Sequence, residues 1–278
     1  MTELKQVASG FVLLEAARWH SDLGLVFSDM LGGGVYTLAP GADTPSVLIE
    51  HRKGIGGLVP HADGGFVVSG RNLTHKRPDG SGEILLEPAA DEQFFNDITA
   101  DFDGRLYIGA VPKDHEHGHG RLYRMQLDGS VDVLADDVRI SNGLAADPTG
   151  QYLFHVDTPR RSVWRYTLAS GERTEFVSTT AYDGVPDGVA LAADGTLWVA
   201  MAGGSVVVAF DAAGRVVTEL KVPAALVTSV CLGGSGLGTL FVLTGVNEEY
   251  PDPAGGQIFC APAPGPGIPA PQARVRLA

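Results

Sequence analysis

A glycine followed at once by a short apolar run recurs along this chain. The copies are Gly24-Leu25-Val26-Phe27, Gly65-Phe66-Val67-Val68, Gly104-Arg105-Leu106-Tyr107, Gly150-Gln151-Tyr152-Leu153, Gly195-Thr196-Leu197-Trp198 and Gly238-Thr239-Leu240-Phe241. They stand about 40–46 residues apart, and each is followed by two further strand-like stretches, such as Arg121-Leu122-Tyr123-Arg124-Met125 and Val131-Asp132-Val133-Leu134. A period of that length made of short strands marks propeller blades, in which each small sheet buries its faces against its neighbours. A sandwich or barrel would not impose it. The expected fold is therefore all-β, a six-bladed β-propeller forming one domain over residues 1–278. Lys5 to Leu14 is expected to pair into the last blade and close the ring. Arg274-Val275-Arg276-Leu277 is a candidate third strand of that blade, reached by an extended connection from Ala261 to Gln272.

The formal charge is −13, so the long-range field repels nucleic acid and anionic membrane, and neither is an expected partner. No apolar run approaches the length of a membrane span, and the N-terminus lacks a basic patch followed by a long apolar stretch. Two cysteines, Cys231 and Cys260, are too few for a disulfide framework; whether they pair is not readable from the chain. The expected location is cytoplasmic.

The repeat also points to a site. Counting ten residues back from Leu25, Phe66, Leu106, Tyr152, Leu197 and Leu240 gives Glu15, Gly56, Asn96, Asn142, Asp187 and Val230. Four of these six are oxygen donors, and equivalent positions of successive blades converge on a propeller's axis. An all-oxygen set with two carboxylates suits a hard or borderline divalent cation. The competing reading is that Asp and Asn sit before turns because their side chains bond nearby backbone.

Ile140-Ser141-Asn142-Gly143-Leu144, Val185-Pro186-Asp187-Gly188 and Val227-Thr228-Ser229-Val230-Cys231-Leu232-Gly233-Gly234 resemble signatures of the gluconolactonase/regucalcin (senescence marker protein) family. The resemblance extends to Leu13-Leu14-Glu15, Arg18-Trp19 and Asn96-Asp97. It implies a six-bladed propeller holding one divalent cation on Glu15, Asn142 and Asp187, with Asn96 beside the ion or the substrate. Ca²⁺ is the first expectation, with Mg²⁺, Mn²⁺, Fe²⁺ or Zn²⁺ as alternatives. Where the family carries Arg-Pro before Asn-Asp, this chain has Phe94-Phe95. A phenyl ring cannot replace the five fixed donors of a guanidinium. With Leu14 and Ala16-Ala17 flanking Glu15, this departure implies a lactone less polar than a sugar lactone.

The implied reaction is hydrolysis of a small-molecule lactone to a hydroxy acid, the ion polarising the carbonyl. Resemblance makes Asp187 the general base, with ion-bound water as the rival nucleophile. Phe94 and Phe95 alternate along a strand, so one is a pocket wall and the other core. The run Asp114-His115-Glu116-His117-Gly118-His119 lies where the family places a lid, making His115 and Glu116 candidate substrate contacts; such runs are more often simply solvated. Asp97 either orients Asn96 or caps a turn, the second being the more ordinary role, and His155 and Asp157 are expected to hydrogen-bond between blades. There is no Gly-x-Ser-x-Gly elbow and no phosphate-binding glycine loop. The rival functions are another metal-assisted reaction, such as aryl ester or organophosphate hydrolysis or a rearrangement, and a binding propeller whose ion is structural.

Overall fold

The computed structural model describes residues 4–277. The chain is all-β, built of propeller-like antiparallel sheets, and the described residues contain no α-helix. The recurring glycine has a local cause. Gly24, Gly65, Gly104, Gly150 and Gly195 all have φ between 73° and 99°, the left-handed region that side chains resist. At Gly104 the turn is further held by Asp101, whose Oδ1 accepts the N–H groups of Gly104 (2.8 Å) and Arg105 (2.9 Å). Gly238 departs from the set, with φ −94°, and follows a short 3₁₀ turn.

Four of the sheets have four strands each, in simple up-and-down order. Their innermost strands are Leu14–His20, Leu58–Pro60, Glu92–Ala100 and Ser141–Ala146. Where the repeat predicts two more separate units, the structure has one eight-stranded sheet. Its two quartets begin with Val185–Leu191 and Leu226–Gly233 and are joined only where Ala202 pairs with Leu226. The innermost strands touch one another in cyclic order, and Leu226–Gly233 packs back against Leu14–His20. The apolar core is accordingly distributed between sheets: Phe27 and Leu25 meet Leu243 and Ile258 in one layer, Tyr107 and Leu122 meet Leu153 and Tyr166 in another.

Both chain ends tie the sheets together. Lys5–Phe11 pairs antiparallel with Gly256–Pro262, as expected. The candidate strand at 274–277 does not pair there. Instead Ala273 bonds across Pro60 and Ala62, Arg274 donates to the Gly104 carbonyl and Arg276 to that of Leu127, so this end lies across the second and third sheets. The preceding stretch bridges Ala192 at Gly267, and Ile268, Pro269, Ala270 and Pro271 line the channel together with Ala17, Arg18, Leu144, Val189 and Val230. Prolines cannot donate to a ladder, so this segment closes one end of the channel as a strap rather than as a strand. Both cysteines are free. Phe241 pairs with Cys231 on one side and Cys260 on the other, which keeps the thiols a strand apart. Among the described residues no helix is long and apolar enough to cross a membrane.

Candidate metal and active site

Five innermost strands lose register at one level. The breaks fall between Glu15 and Arg18, Phe95 and Ile98, Ser141 and Leu144, Pro186 and Val189, and Val227 and Ser229. A bulge leaves its residues without ladder partners and re-aims their side chains. Asn96, Asn142 and Asp187 sit inside these breaks, and Glu15 is the last paired residue before one. Ala16, which follows it, has φ 59°, a turn that costs a non-glycine residue roughly 1 kcal/mol. Glycine at the neighbouring positions lets the strands close in. A Cβ on Gly143 would lie 2.4 Å from the Asp187 carbonyl oxygen, and one on Gly188 2.7 Å from that of Thr228.

The same geometry explains the two positions where the ten-residue count meets no donor. A Cβ on Gly56 would stand 2.1 Å from Asn96 Oδ1, so glycine is there to admit the Asn96 side chain. Val230 lies past the break in its strand and is fully buried in an inter-sheet core.

Asn96 Nδ2 donates to Asn142 Oδ1 (2.7 Å) and to the Ser141 carbonyl (2.8 Å). Asn142 Nδ2 donates in turn to Thr158 Oγ1 (2.9 Å), whose own hydroxyl donates to the Pro186 carbonyl (2.9 Å). Asp187 is buried, and its Oδ1 is the one buried carboxylate oxygen without a hydrogen-bond partner among the described residues. Burial, then the charge of Asp97, pushes the Asp187 carboxyl well above its ordinary range. Glu15 is raised for the same reasons: burial first, then Asp187, then Asp97. Desolvated like charges with an unpaired oxygen are what an incoming cation relieves. The described residues hold no cage of three or more His, Cys, Asp or Glu side chains; the donors here are two carboxylates and an amide oxygen. All are hard oxygens, so they fit a divalent cation.

The Asp97 carboxylate is bonded to Arg18 and backbone rather than to Asn96. Its Oδ1 accepts Arg18 Nη2 (3.3 Å) and the Ile98 N–H (2.7 Å), and its Oδ2 accepts the Leu144 N–H (3.1 Å). Its carboxyl is still raised, because burial outweighs Arg18. Phe95 is core, edge-on to Tyr123, and Phe94 is half-buried. Leu14 and Ala16 also pack into inter-sheet cores. His115 is exposed, with Nε2 2.7 Å from Gln93 Oε1. Glu116 is exposed too, and its carbonyl accepts the Arg139 guanidinium. That loop therefore spans the rim between the third and fourth sheets. Thr158 carried no signal in the repeat, since its partners come from another strand and another sheet.

Residues 13–246 match the family described as SMP-30/Gluconolactonase/LRE-like region. The chain belongs to that family. It is 31% identical to the 6-deoxy-6-sulfogluconolactonase of Pseudomonas putida, over 87% of this chain and 88% of that protein. It is 29% identical to the pentonolactonase XacC of Haloferax volcanii over the whole of both. A solved calcium-binding protein, regucalcin from Agrobacterium tumefaciens, superposes with a TM-score of 0.87 at 22% identity, covering 99% of this chain and 98% of that one. This last likeness is one of fold.

Proposed function

We propose that this protein is a metal-dependent lactonase that opens a cyclic ester to a hydroxy acid, on one six-bladed propeller spanning residues 1–278. The cyclic contacts of the innermost strands support the ring, and the lactonase relatives support the reaction. The observation that carries the site is the buried, unpartnered Asp187 Oδ1 beside Glu15. Glu15, Asn142 and Asp187 would hold the cation, Ca²⁺ by analogy with the regucalcin fold neighbour, and a bound cation would supply Lewis-acid polarisation of the lactone carbonyl.

Asp187 is the general base: it takes a proton from the attacking water as the new C–O bond forms. The ring ester bond then breaks, and the departing oxygen takes up a proton to become the product hydroxyl. Asn96 borders the carbonyl site, and Phe94 supplies an apolar wall where the family has a guanidinium, favouring a lactone less polar than gluconolactone. His115 and Glu116 are outer contacts on the rim. The test is a panel of gluconolactone, aliphatic γ- and δ-lactones and aryl lactones followed by pH indicator, with and without chelator and restored Ca²⁺. Aliphatic or aryl lactones should turn over faster than gluconolactone and stop on chelation. Unchanged turnover after chelation sinks the metal mechanism, and a wholly inert panel sinks the lactonase.

A further inference from the structure

We infer that Thr158 is a positioning residue that sets which end of the Asn142 amide faces the site. A hydroxyl has one proton to give. Thr158 Oγ1 spends it on the Pro186 carbonyl at 2.9 Å, a group that can only accept. What remains on the oxygen is acceptor capacity, and the Asn142 amide can satisfy that only with its nitrogen, as it does at 2.9 Å. The amide oxygen is thereby turned the other way, where it accepts Asn96 Nδ2 at 2.7 Å. One hydroxyl thus fixes the rotamer of a ligand-bearing amide on the fourth sheet and anchors the backbone one residue before Asp187 on the fifth. The first sheet has a matching hold: Thr228, from the neighbouring quartet, donates to the carbonyl of Leu14, one residue before Glu15. Thr158 alone of the two also touches a proposed ligand side chain.

The inference rests on the metal reading above, and the test separates the two. Wild type, Thr158→Val, Thr158→Ser and Thr158→Ala are titrated calorimetrically with Ca²⁺, Mg²⁺, Mn²⁺ and Zn²⁺, each metal alone. Loss of a group that orients a metal ligand costs about 10–100-fold in affinity, so Val and Ala should bind about tenfold or more weakly, while Ser stays within about twofold of wild type. The chelated Val protein should melt cooperatively but below wild type by circular dichroism, since the Pro186 carbonyl and the Asn142 amide each lose a partner. Should the Val protein fail to fold, the Ser and Ala pair, which differs by the hydroxyl alone, carries the comparison. Equal affinity in Val and wild type, or Ser as weak as Ala, overturns the assignment while leaving the metal site standing. A wild-type protein that binds none of the four ions removes the metal reading and this inference with it.

Discussion

Two buried aspartates on adjoining sheets have opposite surroundings. Asp157 is fully buried, and its Oδ2 accepts Arg160 Nη1 (2.7 Å) and the Arg139 N–H (3.1 Å). Asp187 is buried almost as deeply, yet its Oδ1 has no partner and its charged neighbours are acids. Burial alone therefore does not distinguish function from architecture; the missing partner does. A satisfied buried carboxylate holds the fold, whereas an orphaned one is tolerated only where something else is gained.

The contrast can be broken most severely at Asp187. Asp187→Asn should lower lactone turnover by about a thousandfold or more, as loss of a general base does, while the chelated variant melts at or above the wild-type temperature because a buried charge has gone. A variant that is active, or that unfolds, would erase the distinction. Asp157→Asn should do the reverse: it leaves Arg160 and two backbone donors poorly matched, and urea unfolding should register a loss of about 2–4 kcal/mol. Turnover per folded molecule should stay near wild type. The smallest effect belongs to the rim, where His115→Ala should raise KM by about two- to threefold with kcat unchanged, the pattern of a contact made equally in ground and transition states.

Some of this was legible because it is local. A glycine before each second strand is required by φ at Gly24, Gly65, Gly104, Gly150 and Gly195, so the repeat could be read without knowing what packs on what. Constant spacing then led from those turns to Glu15, Asn96, Asn142 and Asp187. The count met no donor at Gly56, where the side chain of Asn96 needs the room, and at Val230, which lies beyond its strand's break. The first exception comes from a contact across sheets, the second from where the bulge falls in its own strand. The C-terminal stretch alternates like a strand of the last blade, but its partners are Pro60, Gly104 and Leu127, from two other sheets.

By itself, then, the order of residues determined an all-β chain of strand-and-turn units and the positions in each unit that face inward, because backbone dihedrals and period-two alternation act over a few residues. Only the tertiary structure decided which inward positions lack a partner, which amide end Asn142 presents, and what closes the far end of the channel. Those outcomes depend on groups tens to hundreds of residues away, brought within hydrogen-bond range by the packing of one sheet against the next.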